Sequence, residues 1–152
     1  MNEDIGKTSE RRRVHIDDLD WEDYIYYLDG EKFNGIGFEL FEDGKLRTET
    51  EFDFGMEHGL SREWYQNGQL KNEDHLKLGS KHGVCKSWFE DGAPETVATY
   101  ELGILISKEV FNQAGEQTQK FELRDTDSNY QILLQNRERE PAREKMIAGK
   151  LS

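Results

Sequence analysis

Two histidines recur at the same point of a repeated sequence pattern and are the first candidates for chemistry. His58 and His82 each stand in a Gly-x-x-His-Gly segment, 24 residues apart. Paired imidazoles can bind a metal ion or transfer protons. One hairpin of two strands, each ~4.8 Å from the next, would separate the rings by ~10 Å, which is too far for one metal ion with bonds of ~2 Å. We therefore expect both imidazoles to hydrogen-bond the backbone of a turn, and we expect no metal and no cofactor.

The other reactive side chains lack partners in the sequence. Cys85 is the only cysteine, so no internal disulfide can form, and no histidine or asparagine motif adjoins it. Aspartate and glutamate number 32, so any two could be assigned as acid and base, but a solvated surface predicts the same residues. The glycines do not follow a phosphate-binding pattern of strand, loop and helix. We expect a protein that is not an enzyme.

The composition narrows the class of partner. The chain has 152 residues and a formal net charge of −12. An acidic protein binds nucleic acid and anionic membranes poorly and is better matched to a basic protein. No apolar run reaches the ~18 residues of a membrane span, and the polar N-terminus lacks the apolar core of a secretory signal. These features predict a cytoplasmic protein.

A repeat of 24 residues supplies the elements that must position these side chains. Rows that start at Gly55 and Gly79 share an aromatic pair followed by Asn/Asp-Gly, and an earlier row around Leu40 and a degraded later row around Phe111 follow the same pattern. Asn67-Gly68 and its equivalents predict tight hairpin turns with two residues at positive φ. Between the turns, apolar residues alternate with polar ones, as in strands that bury one face. The sequence predicts a mainly β protein, an elongated twisted antiparallel sheet of successive hairpins with a short C-terminal helix.

The alternation also predicts that the sheet has two distinct faces. Because the repeat length of 24 is an even number, even-numbered residues are expected to share one face in every copy. In the predicted strands, 16 of 24 even positions are apolar or aromatic, against 5 of 21 odd positions; these strands are 36–41, 46–54, 60–65, 70–78, 84–89 and 94–102. We expect the even face to be buried and the odd face to be wet, acidic and marked by a row of exposed aromatic rings. Exposed aromatic rings beside acids are typical of contact surfaces. The predicted partner-binding residues are Phe41, Tyr65, Phe89, Glu39, Glu63, Glu49 and Glu73.

The segment from Gly55 to Lys71, Gly-x-x-His-Gly-x4-Trp-Tyr-x-Asn-Gly-x-Leu-Lys, resembles the MORN repeat variant of bacterial proteins. More narrowly, the chain is similar to the YwqK-type antitoxins of toxin–antitoxin systems, and its lead-in DLDWEDYIYYLDGEKFNG is similar to the segment that precedes the first full repeat there. The resemblance runs from Leu19 to Phe121 and departs from the pattern at Pro94 and in GILIS. It implies a fold of β-hairpin repeats and a binding role as an antitoxin or immunity protein.

The two ends of the chain differ from the repeats. We predict a disordered arm over 1–13, a repeat domain over 14–122 in which residues 14–26 cover one end of the sheet, and a helical segment over 123–152. The helix is predicted to begin at Ser128, with Pro141 ending or kinking it. It could bind a partner through an amphipathic face, or it could pack on the sheet, and we favour packing.

Three functions are considered on the basis of these features. The first is a protein-binding module, an antitoxin or immunity protein that neutralises a basic, nuclease-type bacterial toxin by direct contact. The alternative is a structural scaffold that docks partners at an assembly or envelope, and the third is a hydrolase that uses surface carboxylates. The sequence does not identify the partner, the binding face or the oligomeric state.

Overall fold

The computed structural model describes residues 11–149. In chain order, the strands of this part are β1 (Arg13–His15), β2 (Asp20–Glu22), β3 (Ile25–Leu28), β4 (Glu31–Lys32), β5 (Gly35–Leu40), β6 (Leu46–Asp53), β7 (Met56–Trp64), β8 (Leu70–Lys77), β9 (Ser80–Lys81), β10 (Gly83–Trp88), β11 (Pro94–Glu101), β12 (Ile104–Phe111) and β13 (Gln117–Glu122). A short 3-10 helix, Ile16–Asp18, follows β1, and the α-helix α1, Ser128–Gly149, ends the described part.

The strands form one long sheet and one small sheet. The long sheet has the order β1-β5-β6-β7-β8-β10-β11-β12-β13, with β9 paired to β8. Every pair in it is antiparallel except β1 and β5, which are parallel. The small sheet has the order β2-β3-β4. The predicted fold class, a mainly β protein of successive antiparallel hairpins with a C-terminal helix, is confirmed.

The Asn/Asp-Gly segments form turns of a different type from the one predicted. In Phe41–Lys45, Tyr65–Gln69, Phe89–Ala93 and Asn112–Glu116, the first residue donates its N–H to the carbonyl of the last. Only the glycine has a positive φ, between +82° and +89°. The residue before the glycine in the first three loops (Asp43, Asn67 and Asp91) instead accepts a hydrogen bond from the backbone N–H two residues later. Each is a longer loop with a glycine bulge, and the prediction of two positive-φ residues is wrong.

The two-residue turns lie at the opposite ends of the strands. Phe54-Gly55, Leu78-Gly79 and Leu102-Gly103 have positive φ at both positions, near +50° and +80°. These values define a type I′ hairpin, whose twist matches that of the flanking strands. Phenylalanine and leucine are rare in this backbone region. The sequence pattern therefore did not distinguish these positions from strand residues.

The faces of the sheet do not follow odd and even numbering. A two-residue turn pairs Asp53 with Met56, and the bulge beside each longer loop also leaves odd residues opposite even ones, as in Glu39 with Thr48. Cross-strand partners share a face. We call the two sides of the long sheet face 1, which carries Gly37, Thr50, Ser61, Asp74, Cys85 and Ala98, and face 2, which carries Phe38, Glu49, Arg62, Glu73 and Lys86. The predicted buried even face and wet odd face are wrong.

Two of the deeply buried side chains lie at the N-terminal end of the sheet. Phe33 and Phe52 are 2% and 1% exposed, and their ring centroids are 5.5 Å apart. Tyr26 meets Phe52 edge to face at 5.0 Å. Residues 16–26 and β1 thus cover this end, as predicted. Residues 1–10 of the predicted arm lie outside the described part, whereas Arg13 opens β1.

Helix α1 packs on the sheet at the ends that carry the two-residue turns. Leu133 is 1% exposed, and Arg137 donates two hydrogen bonds to Glu101, at 2.6 and 2.8 Å. Lys77 of β8 contacts two glutamates of the helix, Glu140 and Glu144, at 2.9 and 2.7 Å. Pro141 lies inside the helix, which continues to Gly149. The favoured interpretation, a helix that packs on the sheet, is confirmed.

Candidate functional site

The two histidines of the repeat connect one hairpin to the next. In a two-residue turn, the backbone N–H groups of the turn residues point away from their own hairpin and need other acceptors. Nδ1 of His58 and of His82 accepts the N–H of the turn leucine that follows 20 residues later, at 3.4 and 3.1 Å. This confirms that the imidazoles bond turn backbone. The turn lies in the next hairpin along the sheet.

Asn34 performs the same task in the first copy, and sequence reasoning did not select it. Its Oδ1 accepts the N–H of Phe54 at 2.8 Å. The glycine of each turn also donates its N–H to the neighbouring hairpin. The acceptor is the backbone carbonyl of the residue directly before Asn34, His58 or His82, which is Phe33, Glu57 or Lys81. The position of Asn34 directly before Gly35, which matches His58 before Gly59, was the signal in the sequence that could have identified Asn34. These bonds fix the spacing of the repeats.

The four predicted glutamates lie on both sides of the sheet. Glu39 and Glu63 share face 1, whereas Glu49 and Glu73 share face 2 with Arg62 between them. Three have basic partners within the chain: Glu49 with Arg13 at 2.6 Å, Glu73 with Arg62 at 2.8 Å and Glu63 with Lys71 at 2.8 Å. Lys71 and Asn72 hold the pKa of Glu63 below its usual value, against the effect of burial. The structure does not bring these carboxylates together as one surface.

The three predicted aromatic residues begin the longer loops and are half-buried. Tyr65 shows the reason, because its hydroxyl donates to the carbonyl of Trp88 in the next hairpin, at 3.0 Å. Asn67 bonds the Glu90 carbonyl of that hairpin at 3.0 Å. The expected row of exposed rings at Phe41, Tyr65 and Phe89 is therefore wrong.

An acidic surface does exist, but it lies before the first full repeat. Residues 16–31, which we call the acidic cap, contain seven aspartates and glutamates and no lysine or arginine. All seven are exposed. Within residues 11–149, none of them forms an ion pair with lysine or arginine, and Asp17 contacts only His15, at 3.5 Å. The cap thus concentrates uncompensated negative charge: Asp17, Asp18, Asp20, Glu22, Asp23, Asp29 and Glu31.

The acidic cap also presents large aromatic side chains to solvent. Trp21 is 60% exposed and Tyr24 is 83% exposed, the highest values among the large apolar residues described. Their rings meet edge to face, with centroids 5.9 Å apart. Asp23 and Tyr24 have positive φ, +49° and +66°, in the turn between β2 and β3. Because Glu22 pairs with Ile25, the two residues between them close the β2–β3 hairpin as a two-residue turn, which leaves the Tyr24 side chain in solvent.

A cleft of about 460 Å³ separates the acidic cap from the first full repeat. Trp21, Tyr24 and Tyr26 line it from the cap, and Glu57 lines it from β7. Burial raises the pKa of Glu57. Burial also raises the pKa of the Tyr26 hydroxyl, with smaller contributions from the negative charges of Glu57 and Glu39. The cleft is thus aromatic on one side and carries a partly desolvated carboxyl on the other.

Backbone contacts hold the cap in place above this cleft. The N–H of Tyr26 donates to the carbonyl of Gly55 at 2.7 Å, and the N–H of Phe33 donates to the carbonyl of Tyr26 at 2.9 Å. A side chain on Gly55 would lie 2.5 Å from a methyl carbon of Ile25. The Phe54-Gly55 turn therefore anchors the cap to the repeats.

A known protein family matches a segment at the centre of the sheet. Residues 57–77 match the family model of the MORN repeat variant. The chain contains a MORN-variant repeat. The matched segment spans nearly all of the β7–β8 hairpin, so the repeat read from the sequence is a structural hairpin unit. No curated protein and no solved structure matches the chain significantly.

The successive hairpins, one of which is the matched MORN-variant repeat, form the sheet that carries the acidic cap, and that cap lies outside the matched segment. Residues 11–149 contain no helix with the length and apolar character of a membrane span. In the same range, no three histidine, cysteine, aspartate or glutamate side chains are arranged to hold a metal ion. The exposed charge and aromatic area of the acidic cap make it the candidate site.

Proposed function

We propose that this MORN-variant repeat protein is a non-enzymatic binding module whose acidic cap takes a basic protein. Its function would be that of an antitoxin or immunity protein, which neutralises a basic, nuclease-type bacterial toxin by direct contact. One observation carries the proposal. The cap combines seven exposed carboxylates, without a lysine or arginine among residues 16–31, with the most exposed aromatic rings of the described chain.

The two components of the cap would act at different stages of binding. Uncompensated charge raises the rate at which an oppositely charged protein associates, and salt weakens this effect. Aromatic side chains that become buried at the centre of an interface supply much of the lasting affinity. A basic surface that normally holds a nucleic acid would therefore be covered by a protein of opposite charge.

The predicted residues of the repeats have a smaller part in this proposal. Glu39 lies on face 1, where the Thr48 hydroxyl donates to its carboxylate at 2.9 Å, and no described lysine or arginine pairs with it. Glu63, Glu49 and Glu73 already have basic partners. We therefore place the main contact at the cap and retain Glu39 as a peripheral contact on face 1.

Co-expression and pull-down test the proposal. The full chain, used as bait, should capture a basic protein encoded nearby and should relieve the growth defect which that protein causes. Trp21→Ala with Tyr24→Ala should remove most of the affinity, since aromatic hot spots are worth about 2 kcal/mol or more each. Ile132→Ala with Met146→Ala is the matched control, because these residues are also exposed, at 45% and 57%, but lie on α1.

The salt dependence gives a second measurement. Steering by the cap predicts that the association rate falls as ionic strength rises, whereas the dissociation rate changes less. If no protein is captured, growth is not rescued, or the α1 control reduces binding as much as the cap variant, the proposed antitoxin function of the cap is wrong.

The scaffold alternative is supported by a different observation. Strand β13 is the last strand of the long sheet in the described part, and all six of its residues are exposed. Such an edge can accept a strand from another chain. If the protein is a scaffold, sedimentation should show assemblies that depend on this edge. A proline at Lys120, whose N–H faces away from β12 because the neighbouring ladder bonds come from alternate residues such as Leu123, should then disperse them.

A further inference from the structure

The cleft beneath the acidic cap has the shape and chemistry of a receptor for one long side chain. Its volume of about 460 Å³ lies within the range of small-ligand sites. Trp21 and Tyr24 line it with exposed side chains, whereas Tyr26, which also lines it, is half-buried. Tyr26 is fixed by its backbone bond to Gly55 and by its contact with Phe52. Part of the wall is therefore rigid before any partner binds.

Glu57 gives this cleft its charge preference. Glu57 lines the cleft and is half-buried, and removal from water raises the pKa of its carboxyl. Among residues 11–149, no lysine, arginine or histidine forms an ion pair with it. Arg143 also lines the cleft, but its guanidinium donates to the carbonyl of Leu78 at 2.9 Å. A carboxylate that is partly buried without a partner destabilises the chain that carries it unless a ligand supplies the charge.

The aromatic lining of the cleft favours a planar cation as its ligand. A guanidinium group stacks on aromatic rings and pairs with a carboxylate through two parallel N–H groups, whereas an ammonium group is a compact, strongly hydrated charge. A phenol is neutral near pH 7, and burial raises the pKa of the Tyr26 hydroxyl further, so it adds a neutral polar group to the cleft. The surrounding cap supplies seven further negative charges.

We propose that the cleft receives an arginine side chain of the protein partner, with its guanidinium paired to Glu57 and stacked on the rings of Trp21 and Tyr26. This inference rests on the proposed binding function of the cap and specifies the residue that the cap recognises. Glu57 is then a specificity residue, and the cap aromatics select arginine over lysine.

A titration with small probes tests the receptor directly. The probes are N-acetyl-arginine amide, N-acetyl-lysine amide and N-acetyl-citrulline amide, and citrulline is the neutral isostere of arginine. The full chain is labelled with ¹⁵N, and the indole N–H of Trp21 is followed by NMR. We expect the arginine probe to shift this signal in a saturable manner at millimolar concentrations, the lysine probe to bind more weakly, and the citrulline probe to have no saturable effect.

Substitution of the carboxylate gives the decisive comparison. Glu57→Gln keeps the shape of the side chain and removes its charge, so the affinity for the arginine probe should fall on the order of 10-fold. Glu90→Gln, in an exposed loop of the repeats, is the matched control and should leave the affinity unchanged. The amide spectrum of each variant establishes that it is folded. Equal binding of arginine and citrulline, or equal affinity of wild type and Glu57→Gln, would overturn the inference.

The two proposals fail in different ways. If the chain captures and neutralises a protein but Glu57→Gln leaves both that binding and the arginine titration unchanged, the receptor is wrong and the cap function stands. If the arginine probe binds in a manner that requires Glu57, but no protein is captured from cells that encode it, the receptor stands and the antitoxin function is wrong.

Discussion

Alanine at Gly55 should destabilise the fold much more than alanine at Gly79, although the two glycines occupy equivalent turns. Their φ values are +78° and +76°. A Cβ in this left-handed region costs about 1–2 kcal/mol, and this contribution is common to both variants. At Gly79 nothing lies within 4 Å of the added carbon, so Gly79→Ala should lower the free energy of unfolding by about 1–2 kcal/mol.

Gly55 carries an additional steric penalty. Its Cβ would lie 2.5 Å from Cγ2 of Ile25 and 2.6 Å from the carbonyl oxygen of Tyr26. That oxygen cannot move freely, because it accepts the N–H of Phe33 at 2.9 Å. Overpacking of this kind costs about 1–3 kcal/mol. Gly55→Ala should therefore lower the free energy of unfolding by about 2–5 kcal/mol, the sum of the strain and the overpacking.

Urea unfolding of both variants, followed by circular dichroism, measures the difference. For a chain of this size, each kcal/mol corresponds to about 2–4 °C in Tm, so thermal unfolding gives an independent value. Gly55→Ala should also broaden or shift the NMR signals of Ile25 and Tyr26, whereas Gly79→Ala should leave them in place. Equal losses of stability in the two variants would refute the reasoning that Gly55 is the anchor of the acidic cap.

Two further predictions concern the repeat contacts and the buried carboxyl. His82→Ala should lower the free energy of unfolding by about 1–2 kcal/mol because the Leu102 N–H loses its acceptor. His82→Asn should recover most of this stability, since Asn34 performs the same role at 2.8 Å. Urea unfolding in which the asparagine variant is no more stable than the alanine variant would contradict the shared role. Burial raises the pKa of Glu57 in the folded chain, so the native state binds its proton more tightly and stability from this group is lost as pH rises through that pKa. Urea unfolding between pH 4 and pH 7 should show Glu57→Gln gaining stability relative to wild type as pH rises, and a gain independent of pH would contradict the desolvated carboxyl.

The hairpins and their order were predictable because they depend on local patterns. A period of 24 residues, glycine at each loop and alternating apolar residues predict successive antiparallel strands without knowledge of distant contacts. The helix was predictable for the same reason, since Ser128 and the apolar stripe with Leu133 lie within one segment. The capping role of residues 14–26 followed from the need of a repeat array to close its end.

Odd and even residue numbers did not predict the faces of the sheet, because the geometry of each turn decides which face an odd-numbered residue occupies. A single bulge residue in each hairpin, as between Glu39 and Leu40, changes which residues oppose one another. A one-residue change in register moves every side chain of a strand to the other face. The grouping of Glu49 with Glu63 failed at this step, since they lie on opposite faces although both are odd-numbered.

The location of the candidate site depends on contacts between segments that are distant in sequence. The run of acids in residues 16–31 is visible in the composition, but Trp21 and Glu57 meet across a cleft only because the Gly55 turn docks against Tyr26. The sequence pattern instead emphasised charges within the repeats. The structure shows why those were less informative, since several of them are neutralised by Arg13, Arg62 and Lys71.

The different charge distributions of the repeats and the acidic cap support different roles for these two parts of the chain. Repeats need polar side chains on their exposed faces, and ion pairs such as that of Arg62 with Glu73 satisfy that need internally at 2.8 Å. Within the described part of the chain, the acidic cap has no ion pair with lysine or arginine, although these residues at a few of its sixteen positions would supply one. Uncompensated like charge destabilises a compact segment, and the exposed rings of Trp21 and Tyr24 leave apolar area in water. The charge opposes folding and the exposed rings oppose solubility, and the basic partner that we propose would relieve both by covering the cap.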